Sequence, residues 1–162
     1  MILLLTFAGL CITGSANAIN QAVEKDTDAQ MKRTATRPVA AGRMSQTEAY
    51  TFAIITGIIG VAIMWYYFNI SAALLSAFSL FLYAFIYTPL KKINSIAVLV
   101  GAFPGAIPCL IGWVAATNEF SPLATFVVDG KTYSNSGGWV LLLIQFLWQF
   151  PHFWAIAWVS HA

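Results

Sequence analysis

Five apolar runs, each long enough to cross a bilayer, constrain this chain more than any other feature. A helix needs about 20 mostly apolar residues to span the hydrocarbon core. Such runs lie at roughly 1–23, 48–68, 71–88, 94–116 and 138–159 of the 162 residues. Only 9% of the residues are charged, against about 25% in a soluble domain. The expected fold class is all-α, a polytopic transmembrane helical bundle. The net charge of +2 is too small to suggest a nucleic-acid partner. Cys11 and Cys109 both fall inside apolar runs, where thiols act as packing groups, so no redox compartment follows from them.

Local signals set the boundaries. The first run ends Ala16-Asn17-Ala18, in the manner of a signal-peptidase site, but no basic residue precedes it. It also continues unbroken into a charged segment, so a transmembrane helix is the expectation. Ser45-Gln46-Thr47-Glu48 has the form of a capping box and should start the second span. Asn69-Ile70-Ser71 reads as a tight turn. The third span should end at Tyr87-Thr88-Pro89, because the residue before a proline is pushed out of the helical region. The segment from Thr117 to Gly138 is rich in Gly, Ser and Asn and reads as a longer exposed loop, with a small hairpin at Asp129-Gly130.

Charge orients the spans. Lys25, Lys32, Arg33, Arg37 and Arg43 lie in the first loop, and Lys91 and Lys92 lie two spans later, on the same side. Lys131 alone falls on the other side. Excess Lys and Arg marks cytoplasmic loops, so both basic loops are expected to face the cytoplasm.

Most of the charge lies between Asn17 and Ser45. Asn20, Glu24 and Asp28 recur at i, i+4 and i+8, which on a helix keeps them on one face over about 12 Å. Thr13 and Asn17 extend this polar stripe upward, whereas Asp26 points away from it. Lys32, Arg33 and Arg37 follow, then a Pro-Val-Ala-Ala-Gly turn. Carboxylates hold hard divalent cations, and guanidinium groups hold phosphate oxygens, so the segment suits a metal–diphosphate group. Helix-to-helix hydrogen bonding plus a positive-inside signal accounts for the same residues and stays open here.

Two later spans carry further punctuation. Gly101 and Gly105 form a GxxxG pair that permits close approach, while Pro104 and Pro108 should bend the same helix. This pattern serves either packing or a bent wall around a bulky ligand. In the fifth span Gln145, Gln149 and His152 share a face amid Trp148, Phe150, Phe153, Trp154 and Trp158. His152 is either a hydrogen-bonded structural group or a contact for a porphyrin or a cationic intermediate.

The pattern of Asn20, Glu24 and Asp28, followed by RTATRP and a glycine before the next helix, resembles the first acidic motif of the UbiA-type intramembrane prenyltransferases. Glu24 stands where that motif usually has Asp, which keeps the carboxylate but lengthens its reach. YTPLKK at 87–92, GAFPGAIPCLIGW at 101–113 and WQFPHFWAIAW at 148–158 narrow the resemblance to the heme-farnesylating, heme O synthase branch, and it covers nearly the whole chain.

That resemblance implies a bundle of nine spans around a cavity open to the membrane, in a bacterial inner membrane. Mg²⁺ held by two acidic motifs would bind farnesyl diphosphate, and a vinyl group of heme b would capture the farnesyl cation to give heme O. Asn20, Glu24 and Asp28 would be catalytic, with Glu24 and Asp28 as metal ligands. Lys32, Arg33, Arg37 and Lys92 would bind the diphosphate, and Gln149 and His152 would line the heme side. The acids and arginines would converge at the cytoplasmic mouth of the cavity. The second acidic motif should begin near His161-Ala162, so the chain reads as roughly the second to sixth spans, expected to be inactive alone. Two other readings remain: a UbiA-type transferase of an aromatic or quinone precursor, and a membrane transport or assembly fragment whose charged loop serves only topology.

Overall fold

The computed structural model describes residues 1–161 apart from Lys92, Asn94 and Ser95. Its elements in order are α1 (Ile2–Val23), α2 (Lys25–Gln30), α3 (Gln46–Tyr67), α4 (Ile70–Phe81), a π-helical stretch (Leu82–Tyr87), α5 (Thr88–Leu90), α6 (Ala97–Thr117), strands β1 (Thr125–Val128) and β2 (Lys131–Ser134), and α7 (Ser136–His161). Five helical segments are long and apolar enough to cross a membrane. Large apolar side chains such as Phe52, Ile54, Ile58 and Trp65 point outward along α3. A soluble protein would aggregate through such a surface, whereas lipid tails solvate it. The chain is an integral membrane protein with an all-helical transmembrane architecture, as expected. The chain divides into two compact units, 1–63 and the residues from Met64 onward.

In the first unit α1 packs on α3 through small residues. Ala8, Ser15 and Ala22 of α1 are buried, as are Ala49 and Ala53 of α3. A Cβ at Gly60 would lie 2.7 Å from Ile12 Cγ1 and 3.0 Å from the Ala8 carbonyl oxygen, so this glycine admits the neighbouring backbone. Lipid offers little hydrophobic drive for helix association, and small residues compensate by bringing backbones into van der Waals contact. Two polar contacts fasten the pair: Ser15 Oγ donates to the Ala53 carbonyl at 2.7 Å, and Gln46 Nε2 donates to the Ala22 carbonyl at 2.8 Å. The second satisfies one of the carbonyls that the end of α1 leaves without a helical partner.

The capping box forms as expected. Ser45 N–H donates to the Glu48 carboxylate at 2.7 Å, and Glu48 N–H donates to Ser45 Oγ at 3.1 Å. Two orphan donors at the start of α3 are satisfied reciprocally.

In the second unit α4 and α7 both pack against α6. Asn69 caps α4 by accepting from Ala72 N–H at 2.8 Å, and its amide donates to the Val114 carbonyl at 2.9 Å. One side chain thus sets the tight turn and ties the start of α4 to the end of α6. The third span departs from expectation at Pro89. Thr88 keeps helical angles (φ −59°, ψ −44°) and the helix continues to Leu90. The widened π-helical stretch makes room: Tyr83 O accepts both the backbone N–H of Thr88 and its Oγ, the latter at 2.8 Å. The backbone is already paired at i−5 when the proline ring arrives, and such wide turns inside helices absorb insertions of this kind. Pro104 and Pro108 likewise lie inside the unbroken α6.

The 117–138 segment contains the expected hairpin. Asp129 and Gly130 both take positive φ (51° and 73°), as a two-residue turn between right-twisted strands requires. Behind it, the wholly buried Asn135 accepts from Trp113 Nε1 at 2.8 Å and donates to the carbonyls of Glu119 (3.0 Å) and Ser121 (2.7 Å). Gly137 and Gly138 lie so close under the Trp113 ring that a Cβ on either would meet it within 2.6 Å. The loop is therefore exposed at its tip and pinned at its base.

Gly60→Val tests the packing in the first unit. It should lower stability in detergent by about 1–3 kcal/mol, the usual cost of overpacking. Gly112→Val, where a Cβ meets nothing within 4 Å, should change it little. Unfolding by a denaturing detergent, followed by circular dichroism, provides the comparison.

Candidate functional site

The polar stripe reaches its functional part at the end of α1. Thr13 and Asn17 are exposed, whereas Asn20 and Asp28 are buried. The helix is not continuous through all five. Glu24 closes α1 with φ −100° and ψ 11°, in the sparsely populated bridge region, and α2 begins at Lys25. The break falls before Lys-Asp-Thr-Asp, where Asp and Thr are weak formers of helix interiors and Asp suits a first turn. Asp28 N–H still donates to the Glu24 carbonyl at 2.8 Å, so the two helices remain in helical register.

The side chains pair in sequence order. Asn20 Nδ2 donates to Glu24 Oε2 at 2.8 Å. Arg37 Nη1 donates to both oxygens of Asp28, at 3.1 and 2.9 Å. Thr34, itself buried, donates through Oγ1 to the Asp28 carbonyl at 3.0 Å. The loop that brings Arg37 back is built as a small structure of its own. Arg43 Nη2 donates to the Thr36 carbonyl, Arg43 N–H donates to the Pro38 carbonyl, and Gly42 turns the chain at φ +71°. Val39 is buried with Ala22 and Ala49, and Met44 packs on them. That apolar peg fixes the loop over the end of α1 and places Arg37 on Asp28. Lys32 and Arg33 stay exposed, with no ion pair or hydrogen bond among the described residues. Asp26 is exposed too, as expected.

The ion pair is asymmetric. The Asp28 side chain is 5% exposed and that of Arg37 is 37% exposed. Exposed pairs contribute about 0–1 kcal/mol, whereas removing one partner of a buried pair costs about 3–5 kcal/mol. The geometry lies between these limits, with Asp28 the group that suffers if its partner goes. Its carboxylate lies at the end of an apolar span against a guanidinium that can still reach solvent. Such a pair can exchange partners when a second anion arrives.

In the second unit the GxxxG glycines seat side chains rather than a backbone. A Cβ at Gly101 would lie 2.5 Å from Tyr87 Cε2, and one at Gly105 would lie 2.8 Å from Gln149 Nε2. Lys91 Nζ lies 5.3 Å from the centroid of the Tyr87 ring. Tyr87, Lys91 and Thr34 were not among the site residues expected from sequence. The i, i+4 spacing of Tyr87 and Lys91 within YTPLKK is the signal that points to that pair. Lys92 lies outside the described residues. Gln149 is nine-tenths buried, and His152 stacks on Trp148 with centroids 4.6 Å apart and planes at 17°.

Fold and site together define an intramembrane helical protein with a carboxylate–guanidinium cluster at the end of a span. The chain belongs to the UbiA prenyltransferase family, whose pattern matches residues 1–162. It is 49% identical over 158 residues to the protoheme IX farnesyltransferase of Flavobacterium psychrophilum, covering 98% of this chain and 48% of that one. Against the protein of the same name from Cytophaga hutchinsonii the identity is 46% over 161 residues, covering 98% and 50%. Against the mitochondrial protoheme IX farnesyltransferase of Gibberella zeae it is 37% over 163 residues, covering 97% and 32%. The chain spans about half the length of the bacterial relatives it matches. No solved structure matches it.

Arg37→Ala should expose the dependence of the loop on the ion pair. Trypsin should cut after Lys32 or Arg33 several-fold faster in this variant than in the parent. Adding Asp28→Asn should restore part of the resistance, because a buried neutral amide costs less than an unpaired carboxylate. Equal cleavage in all three proteins would mean that Val39 alone closes the loop.

Proposed function

We propose that the protein transfers the farnesyl group of farnesyl diphosphate to a vinyl group of heme b, producing heme O. The observation that carries this reading is the Asn20–Glu24 and Asp28–Arg37 cluster, in a chain 49% identical to a protein named protoheme IX farnesyltransferase. Because the chain spans about half of such relatives, the activity is proposed for the complete protein.

The donor set fits Mg²⁺. Glu24 and Asp28 are hard oxygen donors, and Mg²⁺ takes one or two carboxylates and completes its octahedron with phosphate and water. A carboxylate offers about four acceptor sites, so the Arg37 contacts fill only part of Asp28. Bound Mg²⁺ would neutralise the diphosphate and make it a better leaving group.

The chain's own residues then have separate tasks. Asn20 orients Glu24, and Thr34 and Arg37 orient Asp28, so both carboxylates are preorganised. Arg37 can share its guanidinium between Asp28 and a phosphate oxygen, and the exposed Lys32 and Arg33 can close on the remaining phosphate charge. Lys92 is assigned to the diphosphate as well. The C–O bond of farnesyl diphosphate breaks with its electron pair going to diphosphate. The vinyl group then attacks the allylic carbon, which leaves a cation on the inner vinyl carbon, and water adds there to give the hydroxyl group, losing its proton to the released diphosphate or to solvent. Gln149, His152 and the aromatic residues of α7 are assigned to the heme side, where cation–π contact favours the allylic charge.

Heme analysis of a host that lacks heme O synthesis, given the complete gene, tests the reading: heme O should appear. Glu24→Gln and Asp28→Asn in that protein should each remove most of the heme O while leaving heme binding intact. Heme O at the parent level in both variants would exclude these carboxylates as essential metal ligands.

We further propose a bacterial inner membrane as the location, with the loops around Arg33 and Lys92 cytoplasmic and the 117–137 loop opposite, on the distribution of Lys and Arg. Single cysteines at 92 and 129, on a background without Cys11 and Cys109, should differ toward an impermeant thiol reagent applied to intact cells. Position 129 should react and position 92 should be protected.

A further inference from the structure

The hairpin between α6 and α7 has two unlike faces. Its strands pair Thr125 with Ser134, Phe126 with Tyr133, Val127 with Thr132 and Val128 with Lys131. Residues directly opposite in an antiparallel pair share a face, and successive residues alternate. Phe126, Tyr133 and Val128 therefore lie on one face with Lys131, while Thr125, Thr132 and Ser134 lie on the other with Val127. The apolar face is fixed against α6. The Phe126 and Tyr133 rings stack with centroids 5.8 Å apart, and the Phe126 ring meets Trp113 edge-on at 5.9 Å. Trp113 does not cover that face, because Tyr133 remains 46% and Val128 49% exposed.

The same contact sets the depth of the hairpin. Trp113 lies four residues before the end of α6 at Thr117, about 6 Å inside the span, and side chains on a helix tilt toward its N-terminus. Its ring is seated on Gly137 and Gly138, in the first turn of α7. The hairpin thus folds back beside the ends of two spans instead of standing off them. Other aromatic groups mark the same level. The Asn69 amide ties the start of α4 to the Val114 carbonyl, and Trp65 and Tyr66, just before it in the chain, are 65% and 82% exposed. Trp and Tyr concentrate where hydrocarbon meets headgroups.

We propose that the β1–β2 hairpin lies in the lipid headgroup layer, with its Phe126, Tyr133 and Val128 face turned to the acyl chains and its Thr125, Thr132 and Ser134 face to water. Division into an apolar and a hydroxyl-rich face fits a boundary between two solvents. The exposed apolar surface of α7 begins with Val140 and Leu141, just past the hairpin, so the hairpin face continues a surface that lipid already solvates. The outer edges of a two-stranded sheet carry unpaired N–H and C=O groups, which headgroups and water can satisfy and hydrocarbon cannot. The hairpin accordingly stays at the boundary and does not enter the core. The 117–138 segment carries one cation, Lys131, against two anions, Glu119 and Asp129. Attachment therefore rests on buried apolar area and not on attraction to anionic lipid. Lys131, near the tip of the apolar face, keeps its ammonium among the headgroups while its methylenes lie on the apolar side. Val127 is the one apolar side chain on the water face, and it is 67% exposed. A two-stranded hairpin is marginal in water by itself, and lipid against its open face adds to the support that Trp113 gives. Nothing in this placement depends on farnesyl transfer.

Nitroxides on single cysteines of the complete protein, without Cys11 and Cys109 and in phosphatidylcholine vesicles, provide the test. Collision with oxygen, which concentrates in hydrocarbon, is compared with collision with a water-soluble nickel chelate. Val128→Cys and Tyr133→Cys should favour oxygen several-fold more than Val127→Cys and Thr132→Cys do. They should approach Leu143→Cys, at an exposed apolar position within α7. The alternation should persist at high salt and when phosphatidylglycerol is added. Tyr133→Cys removes one ring of the stack, whereas Val128→Cys reports the same phase without touching it. Preference for nickel at all four hairpin positions would place the hairpin in water, and the reversed phase would turn its other face to lipid. Either result overturns the proposal. Shielding of 128 and 133 from both reagents would mean that protein covers the face, whether the remainder of the complete chain or a second copy, and overturns it as well. Alternation that appears only with phosphatidylglycerol would overturn attachment through apolar contact.

Discussion

Helices in lipid gain almost nothing from leaving it for one another, since the tails are as apolar as leucine. What holds them together is close contact, and close contact needs missing side chains. Gly60 illustrates the constraint: with a Cβ, α3 would collide with Ile12 and with the backbone at Ala8. The buried alanines and Ser15 extend the same small seam, and Ser15 adds a hydrogen bond to a carbonyl of the opposite helix. In the second unit the vacated volume is used differently. Gly101 and Gly105 hold Tyr87 and Gln149, while Gly137 and Gly138 take the Trp113 ring. Aromatic and amide groups are thus anchored by glycine on a facing segment, which fixes polar groups without burying a charge.

The same solvent makes each polar group account for itself. A buried carboxylate needs a partner, and Arg37 reaches Asp28 only because the 31–45 loop folds back. The loop folds back because Val39 has an apolar socket formed by Ala22 and Ala49. A packing contact thereby decides the electrostatics of the site. Arg33, four residues from Arg37 and alike in charge, gets no such placement and stays exposed.

Features set by local sequence were legible before the fold was known. Run length located the spans, Ser45 and Glu48 announced their reciprocal cap, and Asp129-Gly130 announced a two-residue turn. The family was legible from the acidic motif together with three later stretches. Features set by tertiary contact were not. Proline chemistry argued for an end at Thr88, but the π-helical stretch before it supplied an alternative partner for the backbone. The i, i+4, i+8 spacing argued for one straight helix, but Glu24 leaves helical angles and divides it. GxxxG indicated close approach correctly and could not say that side chains would be what approaches. Which arginine pairs with which acid was equally beyond spacing, since it depends on the Val39 socket.

The two polar constellations differ in how their groups are paired. The acidic cluster is internally paired: each carboxylate already has a side-chain donor. Little conformational work then remains, which is the condition for electrostatic preorganisation. The Gln145, Gln149 and His152 face of α7 has the opposite character, because its amides and imidazole have no hydrogen-bond partner among the described residues. A polar group that is paired costs little at the end of a membrane span, whereas an unpaired one inside a span carries a desolvation cost that any later partner would relieve.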